Sequence, residues 1–255
     1  ARIASVLLVG GAILLGCAAY EAGNILGGAA GAMLALDLPR EAVTVIVALA
    51  GGALVAGDPW FGWFVLAVVL ATLVEFVLLV VKATTNIPYR LAALLAGTVY
   101  IGLAGYLLTL FPLPVVVGVV GVVICVDTFA YFFGRTLGGP KIAPAISPSK
   151  TWAGLLGGIV GATVWIAAWL QLGPHALPNE FAGSIEDIGA AMILGVGALT
   201  AVAAQAGDFL ESWLKRKAGV KDSSKLIPGH GGVFDRTDGM IPVVLLAGAL
   251  LAGVR

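Results

Sequence analysis

The chain has 255 residues, 60% of them hydrophobic and only 11% charged, with 14 basic and 14 acidic side chains and no net charge. A soluble domain carries about 25% charged residues, so composition excludes an ordinary soluble enzyme, and a net charge of zero provides no bulk field to attract nucleic acid. Uncharged runs of bilayer-crossing length (about 17–25 residues) recur without the alternation of a barrel strand, so the expected fold is an all-α polytopic integral membrane protein, a bundle of about eight to nine transmembrane helices.

Crossings are expected at 3–20, 42–57, 60–81, 91–111, 115–133, 152–171, 188–206 and 240–254. The segment 22–36 is apolar but short and Gly-rich, and is read as a ninth crossing, a re-entrant piece or a surface helix. The first run has no clear cleavage site and further apolar segments follow it, so it does not read as a signal peptide. Ala1 in place of Met is read as processing or trimming, with an upstream segment expected. Cys17 and Cys125 both lie in apolar runs and are expected to be buried, reduced thiols, not a disulfide or a metal site. Tyr20-Glu21 ends the first crossing as an interfacial anchor. Glu75 lies inside the run FVLAVVLATLVEFVLLVV and is given no role; it is read as pairing with a polar group of another helix or lining a cavity. The chain is divided into an N-terminal transmembrane part, 1–111, and a region holding the chemistry, 112–255.

The connecting segments orient the bundle. Segment 82–90 carries Lys82 and Arg90, segment 134–151 carries Arg135, Lys141 and Lys150, and segment 207–239 carries six basic residues. Two crossings separate each from the next, so all three share a side. The intervening segments 112–114 and 172–187 carry no Lys or Arg. The positive-inside rule makes the basic side cytoplasmic. Glycines along the crossings, such as Gly154, Gly157, Gly158 and Gly161, suit close helix packing. No internal repeat of the transporter kind is visible.

Two polar clusters carry the chemistry. The first holds Asp127, Thr128, Tyr131, Gly134, Arg135 and Lys141, then Ser147-Pro148-Ser149-Lys150-Thr151. An acid at the end of a crossing, such as Asp127, is a functional candidate by default. Ser149 or Thr151 suits a helix N-cap, and helix N-termini favour anions. A snorkelling lysine with ordinary capping explains the same residues. The second cluster spans Gly207 to Gly239. It packs 11 of the chain's 28 charged side chains into 33 residues. Asp208 ends an apolar helix, with Glu211 and Ser212 one turn on along the same face. Asp235 and Asp238 are three apart before the last apolar run. Two carboxylate-bearing helix ends facing each other suit Mg²⁺, which takes one or two protein carboxylates and completes its shell with water and phosphate. Interfacial ion pairs with Lys215, Arg216 and Arg236 are the alternative for any one aspartate, but leave the intervening glycines and histidine unexplained. Pro228-Gly229-His230-Gly231-Gly232, beside Lys221, Lys225 and Arg236, suits a phosphate-wrapping turn. His230 is read as a phosphate contact, a proton carrier or a loop-bonding histidine.

The run Ser212-Trp213-Leu214-Lys215-Arg216, then Lys221-Asp222, then Leu226-Ile227-Pro228-Gly229-His230-Gly231-Gly232-Val233-Phe234-Asp235-Arg236-Thr237-Asp238 resembles the signature of CDP-diacylglycerol synthases (phosphatidate cytidylyltransferases). Asp127-Thr128, Ala130-Tyr131 and Gly134-Arg135 resemble the family too, as do Ser147-Pro148, Lys150-Thr151-Trp152 and Gly207-Asp208 with Glu211-Ser212. The specific resemblance covers roughly residues 124–240. Ala153 departs from the Glu or Gln of many members, and members commonly have one more N-terminal crossing than the confident count here.

The resemblance implies that CTP and phosphatidic acid give CDP-diacylglycerol and pyrophosphate. It implies Mg²⁺ on Asp208 and Asp235, a second cation such as K⁺ nearby, and a homodimer in a bacterial inner membrane with a cytosol-facing polar cavity open sideways to lipid. By that reading Lys150, Lys215, Arg216, Lys221, Asp222, His230, Arg236 and Asp238 serve the chemistry. Asp127, Ser147, Ser212, Lys225, Gly231 and Gly232 serve substrate binding. Asp127 either orients Lys150 or binds cation. The rival readings are a CTP-dependent lipid kinase, a cytidylyltransferase for another lipid, and, from a different class, a membrane transporter. The concentration of charge in two segments on one side argues against transport.

Overall fold

The computed structural model of the protein describes residues 59–172, 189–225 and 231–253. The crossings expected at 3–20 and 42–57, the segment 22–36, Cys17, nearly all of 172–187, and Pro228, Gly229 and His230 lie outside the described residues. The described chain is mostly helical. In order come α1 (Pro59–Ala83), α2 (Ile87–Leu110), α3 (Leu113–Thr136), β1 (Lys141–Ala143), β2 (Ser147–Thr151), α4 (Trp152–Leu172), α5 (Ala190–Ala218), α6 (Phe234–Thr237) and α7 (Met240–Gly253). Among the described residues, α1 to α5 are five helices long and apolar enough to cross a membrane, and α7 is a shorter apolar helix.

Local chemistry sets the helix ends. Asn86 caps α2 by accepting the Tyr89 amide, and Pro88 sits in the first turn, where its missing N–H costs nothing. Arg90 reaches back to α1. Its Nη2 donates to the Val81 carbonyl at 3.1 Å and its Nε to that of Thr84 at 3.0 Å, which serves carbonyls that the helix end leaves without partners. Pro112 and Pro114 start α3. α5 closes on Gly219 in the left-handed conformation (φ 67°), with the Val220 amide bonded to the Lys215 carbonyl at 3.0 Å. Lys215, Arg216 and Lys217 fill its last turn, where the helix dipole favours cations.

α3 and α4 pack most closely. Gly154, Gly157, Gly158 and Gly161 line the face of α4 that meets Ala130, Phe133, Val126 and Cys125 of α3, as expected of small residues at a membrane helix contact. α5 packs on α4, α1 and α7. The core runs through Leu79, Val80, Ile101, Val126, Ala201 and Val244. Cys125 is buried as a thiol. Large apolar side chains such as Leu95, Val99 and Leu70 point outward, the surface that lipid covers in a membrane bundle.

Two segments differ from expectation. The crossing expected to end at 206 belongs to a helix that continues to Ala218. Hydropathy marks the end of apolar composition, whereas backbone hydrogen bonding continues. Gly197, Thr200, Ala204, Gly207, Glu211 and Leu214 stay buried, so one face keeps its seam straight through the charged stretch. Segment 134–151 was expected as a plain connection. It holds the end of α3 and an antiparallel hairpin pairing Lys141 with Thr151 and Ala143 with Ser147. The polar, Pro-containing strand SPSKT has no apolar alternation to announce it.

Candidate active site

The charged residues gather at one end of the bundle, where α3 and α5 end and α4 and α7 begin. β2 runs directly into α4, and Thr151 Oγ1 accepts the Gly154 amide at 3.0 Å, the capping role expected of it. That short connection holds Lys150 over α5, where its ammonium donates to Asp208 Oδ2. Asp127 of α3 and Asp238 lie within electrostatic reach of the same ammonium. Burial pulls the Lys150 pKa down, but Asp208, then Asp127 and Asp238, outweigh it and hold the group above the ordinary lysine value. Burial and the charge of Asp208 push the Asp238 carboxyl up to about 8, against the opposing bond from the Gly239 amide. Three acidic side chains therefore surround one lysine.

A second group forms where α5 meets α6. Lys215 Nζ lies 2.6 Å from Glu211 Oε2 and 2.6 Å from Asp235 Oδ1. Asp235 Oδ2 accepts the amides of Ser223 at 2.9 Å and Gly232 at 2.7 Å, and lies 2.8 Å from Ser223 Oγ. Burial raises the Asp235 pKa, but bonds from Glu211, Lys215, Gly232 and Ser223 outweigh it and keep the group well below the usual carboxylate range. Glu211 Oε1 is buried without a hydrogen-bond partner among the described residues. The first group closes around Gly207, where any Cβ would strike the Asp238 carbonyl oxygen and Pro242.

Glu75, which the sequence left without a role, reaches this site from α1. Its Oε1 accepts the Val233 amide at 3.0 Å and Ser224 Oγ at 2.7 Å, and its Oε2 accepts the Phe234 amide at 2.7 Å. Ser223 Oγ stands 2.9 Å from Oε2 and shares its single proton between Glu75 and Asp235. The rule that an intramembrane acid is a functional candidate was the available signal. The partners lie about 150 positions away and cannot be read from the sequence.

The other expected residues are distributed as follows. Ser147 is buried at the start of β2, 3.5 Å from Ser149 Oγ. Ser212 is half-buried on α5. Arg216 is exposed and its Nε donates to the Ile146 carbonyl at 3.3 Å, which ties α5 to the hairpin. Lys221, Asp222 and Lys225 are exposed on the segment after α5, and Arg236 is exposed on α6. Gly231 has φ 84°, which favours glycine. Gly232 is buried where a side chain would collide with Ser223 and Glu75. Asp208 and Asp235, the expected metal pair, each hold a lysine of their own. Among the described residues no cluster of three or more His, Cys, Asp or Glu side chains is arranged to hold a metal ion.

The chain is 39% identical over 166 residues to the phosphatidate cytidylyltransferase of Brucella abortus, a match covering 62% of this chain and 57% of that protein. It is 41% identical over 118 residues to that of Haemophilus influenzae (46% of this chain, 38% of the relative) and 37% identical over 116 residues to that of Rickettsia bellii (46% and 48%). The chain thus spans little more than half the length of the first of these relatives, and less of the others. The profile of the Cytidylyltransferase family matches residues 111–253, which run from the start of α3 to the end of α7 and take in both lysine–carboxylate groups. With more than half of its length accounted for in this way, the chain belongs to the cytidylyltransferase family.

Proposed function

We propose that the protein transfers the cytidylyl group of CTP to phosphatidic acid, giving CDP-diacylglycerol and pyrophosphate. The observation that carries this reading is the pair of lysine–carboxylate contacts, Lys150 with Asp208 and Lys215 with Asp235, set at one end of an apolar helical bundle. That is where a lipid phosphate and a nucleotide triphosphate would meet. The relatives from Brucella abortus and Haemophilus influenzae, named as phosphatidate cytidylyltransferases, point the same way.

Mg²⁺ is the proposed cofactor. The donor set is hard oxygen, as Mg²⁺ requires, and Glu211 Oε1, without a hydrogen-bond partner among the described residues, adds a buried carboxyl oxygen one turn from Asp208. Asp208 and Asp235 would hold the ion, with Asp238 supporting. Both Asp235 oxygens already have donors, so it would release Lys215 to accept a cation. When bound, Mg²⁺ supplies charge neutralisation on the phosphates. A second cation such as K⁺ would help to offset the carboxylates around Lys150.

The protein's own residues then have defined tasks. Lys150 and Lys215 are cations stored on carboxylates, ready to turn to phosphate. Arg216, Lys221, Lys225 and Arg236 would surround the incoming polyanions, and the amides around Gly231 and Gly232 would bound the phosphate space. The phosphate of phosphatidic acid is nucleophilic near neutral pH. The work is therefore in-line positioning and relief of anion repulsion, not proton abstraction.

The proposed setting is an eight-to-nine-helix bundle in a bacterial inner membrane, as a homodimer, with its polar cavity facing the cytoplasm. The basic segments at 82–90, 134–151 and 207–239 support that orientation. The test uses purified protein in micelles with phosphatidic acid and α-³²P-labelled CTP, with and without Mg²⁺. Label entering lipid only with Mg²⁺ is the expected result. Labelled CDP with an unlabelled lipid product would mean a kinase, and no turnover would remove the reading.

A further inference from the structure

α1 lies outside the matched family region, yet one face of it grips the signature segment. Thr72, Glu75 and Phe76 are spaced as neighbours on one helix face, and they are 1%, 3% and 5% exposed. Thr72 Oγ1 lies 3.4 Å from Thr237 Oγ1. The Phe76 ring meets Phe234 edge-on at 6.0 Å between centroids, with an interplanar angle of 87°. Between them Glu75 takes the bonds from Ser223, Ser224, Val233 and Phe234. A carboxylate has about four lone-pair sites, and here all four face donors. A buried acid is tolerated only when bonded in this way.

The geometry points to Glu75 as a positioning residue for the reaction. It ties together the two flanks of segment 226–230, Ser223-Ser224 before it and Val233-Phe234 after it. It touches no atom proposed to react. The same flanks hold Asp235, because the Ser223 and Gly232 amides that bind Asp235 Oδ2 adjoin the groups bound to Glu75. The Ser223 hydroxyl stands between the two acids, 2.9 Å from one and 2.8 Å from the other. Glu75 therefore fixes where the Asp235 carboxylate points. Its catalytic consequence rests on the cytidylyl-transfer reading, whereas the clamp itself is independent of it.

Glu75→Gln tests this at nearly constant shape. Whichever way the amide turns, its NH₂ faces a backbone N–H, of Val233 or of Phe234, and the clamp loses at least one arm. Two measurements are made in detergent: hydrogen exchange by mass spectrometry, and steady-state cytidylyl transfer. Faster exchange confined to peptides covering 221–225 and 231–236 is expected, with α3 and α4 unchanged. kcat should fall about 10–100-fold, as for the loss of a residue that orients a ligand, with little change in KM. Glu75→Asp should recover part of the loss. Ser224→Ala removes one donor and leaves the buried acid in place. It should change the same peptides more weakly, and it carries the test if Glu75→Gln does not fold.

Unchanged exchange in these peptides for both Glu75→Gln and Ser224→Ala would overturn the clamp. Faster exchange throughout the bundle in Ser224→Ala would make the contact a general fold element, and would overturn the positioning role. A loosened segment with unchanged kcat would overturn the catalytic consequence. A wild-type protein that transfers no label, beside a variant whose segment loosens, would remove the transfer reading and leave the clamp standing.

Discussion

Lys215 Nζ donates to Asp235 Oδ1 at 2.6 Å, which joins the last turns of α5 to α6. The same ammonium lies 2.6 Å from Glu211, whose side chain is 2% exposed. Lys215→Met would leave the buried Glu211 and Asp235 side chains facing each other with no cation between them. Breaking a buried pair from one side typically costs about 3–5 kcal/mol. A clear fall in the thermal midpoint in detergent is expected, together with a loss of turnover. Lys215→Arg should retain more of both, because it keeps the charge. An unchanged melting curve for Lys215→Met would show that the contact contributes no stability.

Asp208→Asn and Asp235→Asn test the proposed metal ligands. Each should lower kcat on the order of 10²–10³-fold, by analogy with removal of one preorganised stabilising group. The two should differ in stability, because Asp235 anchors Ser223, Gly232 and Lys215 whereas Asp208 holds Lys150 alone among the contacts described above. Asp235→Asn is therefore expected to melt earlier. Near-normal turnover in either variant would end that residue's assignment to the metal.

Chelation of divalent cations should abolish the transfer of label to lipid, and added Mg²⁺ should restore it. With two polyanionic substrates, the protein's own cations offset only part of the repulsion, and the divalent ion is expected to supply the rest. Full activity in excess chelator would exclude a required divalent ion.

Gly207→Ala places a methyl group against the Asp238 carbonyl and Pro242, backbone and ring atoms that cannot rotate away. Overpacking of this kind costs about 1–3 kcal/mol, and it should also separate Asp208 from Asp238 and so impair turnover. Gly195→Ala, on the same helix with no described residue within 4 Å of the added carbon, should be neutral or mildly stabilising. Equal behaviour of the two variants in melting and assay would refute the close approach.

The sequence by itself determined the membrane character of this protein and the family it belongs to. Long uncharged runs call for a bilayer, and the residues from Ser212 to Asp238 are so unusual in kind and spacing that they mark the family without coordinates. The glycine stripe of α4 was equally legible, because only small side chains permit backbone contact. Only the tertiary structure decided how far α5 extends, that SPSKT forms a hairpin strand, and which cation holds which carboxylate. A helix face fixes the direction in which a side chain points, but not what packs against it. Glu75 shows the limit most plainly. Its isolation in an apolar run was visible, but its donors lie 148 to 159 positions away, on the far side of six other described elements. Spacing along the chain carries information about neighbours within a turn or two. Partners across the bundle are selected by packing, which brings a buried acid to amides and hydroxyls that offset the cost of burying it.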